Sequence, residues 1–299
     1  MESWKELYPF ESNFLEIPQS EVSDNLVRLH YVTQGSGDQT VLCVHGNPTW
    51  SFTFREVLRN VSEQARVMAV DHIGCGLSDK PAKYKYTLEQ HVGNLARLIE
   101  KLDLKRITLL VHDWGGAIGM GAALRVPERI ERLVILNTAM FPPPYVPWRI
   151  AACRLPVVGP WAVRRLNLFA RAALTMTLNR LPLLDKPVAA GLIAPYKDWN
   201  SRIAIARFVQ DIPRRKNDPT WQLLSRIEDG VSLFQDRPAR IVWGMRDWCF
   251  RPECLERIKL LLPQAKVRQL DDVGHYVMEE AAGEVVETVR DCLAEPLQV

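Results

Sequence analysis

The sequence has no cysteine pattern of the kind that holds a metal ion or a disulfide framework. Its six cysteines are scattered, no two form a CxxC pair, and no histidine stands at a companion spacing. Scattered free thiols are typical of a reducing compartment. We therefore expect neither a metal site nor structural disulfides. Cys43 and Cys75, which lie in or beside apolar runs, are predicted to be small core residues.

Long apolar runs and a strong charge of one sign are also absent. No run reaches the length that spans a bilayer, and the first seven residues lack the charged-then-apolar plan of a secretory signal. A net charge of +3 is too small to indicate nucleic acid as the main partner. With 299 residues, the chain suffices for one large domain or a domain with a sizeable insertion. These features favour a soluble cytoplasmic protein.

Short apolar strands alternate with helical patterns through the first half of the chain. Continuous apolar runs, typical of buried parallel strands, occur at residues 40–44, 67–70, 106–111 and 133–137. Residues 26–32 alternate apolar and polar side chains, which predicts a half-exposed strand near the sheet edge. Thr87 and Gln90 form a predicted capping box for a helix over 87–102. The alternation predicts an α/β fold with helices on both faces of a parallel sheet.

The pattern changes at residue 141. Three prolines follow Phe141, and the sequence beyond them has helical stretches but no clear strand until residues 240–243 and 267–270. Two helices, near 252–262 and 276–293, are predicted to complete the chain. We predict that residues 1–140 and 231–299 form the α/β core and that residues 141–230 form an inserted helical cap.

The most informative stretch is Val111-His112-Asp113-Trp114-Gly115-Gly116. A predicted buried strand leads into it, and a helix over 117–125 follows. This is the layout of a nucleophile elbow, in which a sharp strand-to-helix turn presents a reactive side chain. Asp113 stands at the apex, and Val111 replaces the usual first glycine. An aspartate that merely caps a helix would look the same in isolation. His112 is predicted to be a structural hydrogen-bonding group.

Unusual polar residues follow four of the predicted strands. Asn47 follows the strand at 40–44, and Asp113 and Trp114 follow the elbow strand. Asp247 comes after the strand at 240–243, and His275 comes after the last strand. Because ligands bind beyond the carboxyl ends of parallel strands, these residues are candidates for one site. A nucleophile, an acid and a histidine in this chain order match the α/β-hydrolase triad.

On these residues the sequence resembles a haloalkane dehalogenase of the α/β-hydrolase fold, over nearly the whole chain. The motifs that carry the resemblance are His45–Ser51, Asp71–Pro81, His112–Gly116 and Gly274–Glu280, with Pro195–Trp199 and Arg207–Pro213 in the cap. Asn47, Trp114 and an acid at Asp247 resemble the third subfamily, since no carboxylate follows the strand that ends at Asn137. The resemblance implies a mostly parallel eight-stranded sheet flanked by helices, with an inserted helical cap.

The resemblance also implies a mechanism without metal or organic cofactor. Asp113 would displace halide from a saturated carbon and form an alkyl ester. His275, oriented by Asp247, would activate the water that hydrolyses the ester. Asn47 and Trp114 would bind the departing halide through their side-chain N–H groups, and their backbone N–H groups would form the oxyanion hole.

Other reactions on the same frame remain as alternatives. A β-lactone decarboxylase of long-chain olefin biosynthesis resembles the third dehalogenase subfamily in triad and cap. Asp113 would then open the lactone, and loss of carbon dioxide would leave a cis-alkene. An epoxide hydrolase would need cap tyrosines, of which this cap offers Tyr145 and Tyr196, and typically has a bulky aromatic in place of Asn47. A haloacid dehalogenase would need arginines where this chain has Trp114. A binding protein would not need the triad.

The predicted cap is basic and rich in large apolar side chains. Between Tyr145 and Lys216 there are thirteen Arg and Lys residues against three Asp. A lid with an apolar underside and a solvated basic top would explain this composition. A surface that docks to a membrane or an acidic partner would also explain it. The expected substrate is a small apolar haloalkane or a long-chain lactone, and whether the chain forms a homo-oligomer stays open.

Overall fold

The computed structural model describes residues 3–19 and 25–297, and in this part of the chain eight strands form one sheet. The strands are β1 (Ser12–Pro18), β2 (Leu26–Gln34), β3 (Thr40–Val44), β4 (Arg66–Val70), β5 (Ile107–Asp113), β6 (Ile130–Thr138), β7 (Ala239–Gly244) and β8 (Lys266–Leu270). Their order across the sheet is β1-β2-β4-β3-β5-β6-β7-β8. β2 pairs antiparallel with β1 and β4, and all other pairs are parallel. The predicted mostly parallel eight-stranded sheet is confirmed.

The α-helices of the described residues are α1 (Arg55–Val61), α2 (Leu88–Lys101), α3 (Trp114–Ala123), α4 (Trp148–Ala152), α5 (Val158–Leu166), α6 (Leu168–Met176), α7 (Lys186–Ile193), α8 (Ile203–Asp211), α9 (Pro219–Gly230), α10 (Pro252–Leu261), α11 (Val277–Glu280) and α12 (Ala282–Ala294). Short 3-10 helices lie at Ser3–Leu7, Ser51–Phe54, Pro127–Arg129, Asn200–Arg202 and Val231–Phe234. None of the helices in the described ranges is long and apolar enough to cross a bilayer.

Only helices lie between β6 and β7, as the sequence pattern predicts for the cap. α9 packs against α2 and α3, which cover the sheet, whereas α5 packs against α6 and α8. The last helix of the segment 141–230 therefore rests on the core. The division of the chain at residues 140 and 230 stays a prediction.

The sheet separates two apolar layers. Leu42 and Val44 of β3 point into the layer that includes α2, α3 and α10, while Val41 and Cys43 point into the layer that includes α1 and α12. This alternation follows from the two-residue period of a strand that is covered on both faces. Cys43 and Cys75 are fully buried, as predicted.

The sequence patterns did not predict β1. It forms the outer edge of the sheet, and Ile17 is the only fully buried side chain along it. Backbone pairing from Ser12 opposite Val32 to Pro18 opposite Leu26 holds it in place. A strand whose side chains are mostly exposed leaves no apolar run in the sequence.

Three predictions about helices are wrong in detail. Thr87 caps α2 by accepting the N–H of Gln90, but the Gln90 side chain donates to Asn94 instead of returning to Thr87, so the reciprocal box is absent. The elbow helix begins at Trp114 and not at residue 117. The predicted helix over 276–293 is broken at Ala281, whose φ of −142° is not helical.

A buried ion pair fixes α11, which follows the segment carrying His275. Arg55 of α1 donates two hydrogen bonds to the carboxylate of Glu279, at 2.7 and 2.5 Å. The two side chains are 7% and 2% exposed. Removing one partner of such a pair leaves an uncompensated buried charge, which costs far more than losing a surface pair.

We expect Glu279→Gln to lower the free energy of unfolding by about 3 kcal/mol. Urea denaturation followed by circular dichroism measures the change. Glu256→Gln is the matched control, because Glu256 pairs with Lys259 at the surface, and its loss should cost less than about 1 kcal/mol. Equal effects of the two substitutions would contradict the role assigned to the buried pair.

Candidate active site

The predicted strand–turn–helix is present, and Asp113 lies at its apex. β5 ends at Asp113, which has φ of 53° and ψ of −129°, and α3 begins at the next residue. A Cβ on Gly115 would lie 2.0 Å from the carbonyl oxygen of Val44, and one on Gly46 would lie 1.9 Å from Asp113 Oδ1. Side chains at these two positions would collide with the turn. The close packing holds Asp113 in a conformation that non-glycine residues rarely adopt.

Gly119 accommodates the valine that replaces the first glycine of the generic elbow. A Cβ on Gly119 would lie 2.7 Å from Cγ1 of Val111, so α3 can approach β5 only because Gly119 has no side chain. The missing side chain at Gly119, two helical turns after Val111, therefore makes room for the valine side chain. The sequence contained this signal, since Gly119 follows in the small-residue helix.

Backbone N–H groups hold the carboxylate of Asp113. The N–H of Asn47 donates to Oδ1 at 2.6 Å, and the N–H of Trp114 also binds the carboxylate. Burial raises the pKa of Asp113 above its usual value, while His275 and the two N–H groups oppose the shift. The result is a desolvated carboxylate with few hydrogen bonds, which is the form that attacks carbon readily.

His275 lies between two carboxylates. Its Nδ1 is 2.8 Å from Asp247 Oδ2, and its Nε2 is 3.7 Å from Asp113 Oδ2. Because an ionised carboxylate only accepts hydrogen bonds, Nδ1 is the donor to Asp247 and Nε2 faces Asp113. Burial lowers the pKa of His275, but the Asp247 and Asp113 carboxylates together outweigh burial, so the pKa lies above its usual 6.5.

Asp247 is itself fixed by hydrogen bonds that the sequence analysis did not identify. The N–H of Cys249 donates to its Oδ1 at 2.6 Å, and the amide of Asn137 donates to its Oδ2 at 3.1 Å. Asn137 also accepts the N–H of Gly244 and thereby joins the ends of β6 and β7. Asp271 and Asp272, two acidic residues that also follow a strand and precede His275, are exposed.

A second buried carboxylate holds the segment that carries His275. Glu280 accepts the N–H groups of Gly274, Asn179 and Leu181 at 2.6 to 2.9 Å. The N–H of His275 donates to the carbonyl of Thr177, which follows α6 of the cap segment. Glu280 thus links the histidine loop to the cap. Glu280 is the last residue of the motif Gly274–Glu280. An acidic residue at this place in the sequence does not by itself predict hydrogen bonds to three backbone N–H groups.

The structure brings Asn47 and Trp114 to the same cavity as Asp113, but it gives Asn47 a further contact. The Asn47 amide donates one N–H to the carbonyl of Ile205 in α8, at 3.3 Å. One of its two side-chain N–H groups is therefore already bound. The Trp114 ring packs on Phe208, with ring centres 5.5 Å apart.

His112, beside the apex, has a structural contact. Its Nε2 lies 2.9 Å from the carbonyl oxygen of His275 and donates to it. Burial lowers the pKa of His112 well below its usual value, so the ring is neutral. It supports the loop that carries His275 and is not among the residues that line the cavity.

The candidate site opens into a cavity of about 550 Å³. Asn47, Asp113, Trp114 and His275 line it, and the rest of the lining is almost entirely apolar. The cap segment contributes lining residues from parts of the stretches 141–153, 155–162, 168–177 and 209–213, without Val157 and Trp161, and also contributes Leu224. The volume is in the range of pockets that enclose drug-sized ligands, which are much larger than a haloalkane of two or three carbons.

The hydroxyl groups of the two cap tyrosines, Tyr145 and Tyr196, form hydrogen bonds to backbone groups. Tyr145 donates to the carbonyl of Cys249 at 2.7 Å and accepts the N–H of Arg251. Tyr196 is buried and donates to the carbonyl of Thr49 at 3.2 Å. Neither hydroxyl is placed to protonate an epoxide. Within the described ranges no three His, Cys, Asp or Glu side chains are grouped as metal ligands.

Known proteins resemble this chain along most of its length. A family profile described as the alpha/beta hydrolase fold matches residues 39–282. A cis-3-alkyl-4-alkyloxetan-2-one decarboxylase of Shewanella oneidensis is 40% identical, covering 97% of this chain and 90% of that protein. Haloalkane dehalogenase 2 of Mycobacterium bovis is 28% identical and covers 95% of each chain. The structure of haloalkane dehalogenase DbeA from Bradyrhizobium elkani shares the fold, with a TM-score of 0.82 and 23% identity, covering 95% of this chain and 98% of that one.

We expect Asp247→Asn to lower the pKa of His275, because the Asp247 carboxylate contributes more than Asp113 to raising this pKa against burial. Titration of the six histidines by NMR measures the change directly. Asp271→Asn is the matched control, since Asp271 is exposed and should leave the His275 titration unchanged. A larger shift in Asp271→Asn than in Asp247→Asn would show that Asp247 is not the partner acid.

Proposed function

Because this chain belongs to the α/β-hydrolase fold family, we propose that it is an enzyme of that family that decarboxylates long-chain β-lactones to cis-alkenes, with Asp113 as nucleophile. The observation that carries this choice is the 40% identity to a lactone decarboxylase over 97% of the chain, against 28% to a haloalkane dehalogenase. The sequence motifs alone favoured haloalkane hydrolysis, with lactone decarboxylation as the alternative. The volume of the cavity supports the larger substrate.

The proposed reaction needs only a carboxylate nucleophile. Asp113 attacks the ring carbon that bears the ring oxygen, an ester bond forms to Asp113, and the ring carbon–oxygen bond breaks to give a free substrate carboxylate. The bond from the neighbouring ring carbon to this carboxylate then breaks. Its electron pair forms the carbon–carbon double bond, carbon dioxide departs, and Asp113 leaves as a carboxylate. No water or proton is consumed, so Asp113 is regenerated.

The stereochemistry of these two steps is consistent with a cis product. Displacement by Asp113 inverts the attacked carbon. Elimination with the two leaving groups anti to each other then places the alkyl chains on the same side of the double bond. A cis-disubstituted lactone therefore gives a cis-alkene.

Asn47 and Trp114 serve the proposed reaction as hydrogen-bond donors. Negative charge develops on the ring oxygen as the carbon–oxygen bond breaks, and it develops inside an apolar cavity. Fixed donors stabilise such charge more strongly there than in water. Asn47 and Trp114 line this cavity beside Asp113, and they would supply an amide N–H and an indole N–H to this charge.

Haloalkane hydrolysis is the second candidate, and the hydrogen-bonded pair of His275 and Asp247 favours it. A base beside the nucleophile is needed to hydrolyse an alkyl ester of Asp113, and decarboxylation needs no such base. His275 Nε2 lies 3.7 Å from Asp113, close enough to activate a water that attacks an ester there. In this reaction Asn47 and Trp114 would bind the departing halide.

We expect the wild type to prefer a long-chain β-lactone over a bromoalkane of matched length by at least a thousandfold in kcat/KM, about 4 kcal/mol of transition-state discrimination. In His275→Phe, lactone turnover should continue. Bromoalkane should give a single stoichiometric burst of bromide, because the ester on Asp113 can form but cannot be hydrolysed.

Mass spectrometry of the peptide bearing Asp113 checks the second result, since one alkyl adduct should accumulate in His275→Phe. Asp113→Asn is the control and should show neither adduct nor turnover while its amide stays intact. A wild type that prefers the bromoalkane would establish the dehalogenase instead. Loss of lactone turnover in His275→Phe would contradict decarboxylation without a base.

The two reactions should also differ in their pH dependence. The pKa of His275 lies above 6.5, so its neutral form, which acts as base, is lost as the pH falls through a value higher than 6.5. We expect the ratio of bromoalkane hydrolysis to lactone decarboxylation to fall with it. The requirement for ionised Asp113 is common to both reactions and cancels in this ratio. A ratio that does not change with pH would contradict a base role for His275 in hydrolysis.

A further inference from the structure

Helix α5 and the residues before it present apolar side chains to the solvent. Val157, Trp161 and Arg165 are spaced by four residues and lie on one exposed face, while Gly159 and Val163 form the buried face. The side chain of Val157 is 83% exposed, and Trp148 on the neighbouring helix α4 is 74% exposed. A surface helix ordinarily places polar residues outside. We call Trp148, Leu155, Val157, Val158 and Trp161 the cap-tip surface.

The backbone at Val157 is unusual as well. Its φ of 63° and ψ of −57° lie in a region that a β-branched residue strongly disfavours. Glycine or asparagine would adopt a positive φ more easily. The chain therefore has at this tip a strained residue whose side chain contributes almost nothing to the core. Strain at an exposed apolar position indicates a function outside the folded core.

The cap-tip surface lies at the mouth of the active-site cavity. Trp148, Leu155 and Val158 are exposed and also line the cavity that contains Asp113. A side chain that faces both the cavity and the solvent lies where the cavity opens. A ligand that leaves the cap-tip surface can therefore enter the cavity directly.

The stretch of chain that carries this surface has positive charges only. From Tyr145 to Leu184 the chain has six arginines and no acidic residue. The Arg149 guanidinium lies 5.3 Å from the ring centres of both Trp148 and Trp248. Within the described part of the chain, Arg149 and Arg165 form no salt bridge with an acidic side chain. Their charges are available to a negatively charged surface.

We propose that the cap-tip surface docks to the surface of an anionic lipid bilayer. Exposed tryptophans and aliphatic side chains next to arginines are the combination that inserts into the headgroup region while the arginines contact lipid phosphates. No segment needs to span the bilayer. The cavity mouth would then face the lipid, and an apolar substrate would enter without crossing water.

Charge decides against a second copy of the chain as the occupant, because two cap-tip surfaces would bring like charges together. A lipid surface is favoured over an acidic protein because a lactone with two long alkyl chains partitions into lipid. This last argument rests on the proposed function, whereas docking itself can be measured without any substrate.

The test is co-sedimentation with vesicles of equimolar phosphatidylglycerol and phosphatidylcholine. The wild-type protein should bind these vesicles, and it should bind vesicles of phosphatidylcholine alone at least tenfold more weakly. Val157→Asp combined with Trp161→Asp should reduce binding to the anionic vesicles at least tenfold. Neither residue lines the cavity, so turnover of a short water-soluble bromoalkane, or of a short lactone, should stay unchanged.

Two further variants keep the result interpretable. Leu260→Asp is the matched control, because Leu260 is 81% exposed on α10, outside the cap segment, and its substitution should not affect vesicle binding. Val157→Asn keeps a residue suited to positive φ, so it should fold at least as well as the wild type and still bind vesicles more weakly.

Three results would overturn the proposal. They are a wild type that does not bind anionic vesicles, a double variant that binds them as the wild type does, and a loss of vesicle binding in Leu260→Asp equal to that in the double variant. Vesicle binding without lactone turnover would instead refute the proposed function alone. If the wild type both binds anionic vesicles and turns over lactone, the double variant should turn over long-chain lactone in vesicles more slowly, in proportion to the fraction of protein that is bound.

Discussion

The desolvated carboxylate of Asp113 is the constraint on which the arrangement of the site depends. A charge in an apolar cavity is costly unless fixed donors meet it, and here the backbone N–H groups of Asn47 and Trp114 do so. These donors reach it only because Gly46 and Gly115 allow the loop after β3 and the start of α3 to approach the apex. The strained backbone of Asp113 and the close contacts at Gly46 and Gly115 therefore serve the same purpose, which is to bring backbone N–H groups to the Asp113 carboxylate.

The same arrangement explains why one protein can be a candidate for two reactions. Both begin with displacement at a saturated carbon by Asp113, and both place negative charge on a leaving group beside Asn47 and Trp114. They diverge in the second step, which is elimination of carbon dioxide in one and hydrolysis in the other. Only hydrolysis needs His275 as base, so the proposed triad of Asp113, His275 and Asp247 does not by itself identify the substrate.

The cap is connected to this site by contacts of several kinds. Asn47 donates to α8, the backbone of His275 donates to Thr177 after α6, and Glu280 binds the residues that follow Thr177. The position of the cap and that of the loops carrying Asn47 and His275 are thus fixed together. Because the cap also forms most of the cavity wall, its side chains limit which molecules can reach Asp113.

The sequence alone determined seven of the eight strands, the elbow and the set of polar residues at the strand ends. These rest on local signals, namely apolar runs, small residues around Asp113 and the rule that parallel strands end at one edge. Only the tertiary structure decided the partners of those residues. Asn137 meets Asp247 across 110 positions of sequence, and Glu280 meets Asn179 across 101. The edge strand β1 depends on backbone pairing, and the break at Ala281 lies beside Glu279 and Glu280, whose partners are remote in sequence. Contacts between residues so far apart leave no pattern in a single sequence, because either partner alone looks like an ordinary polar residue.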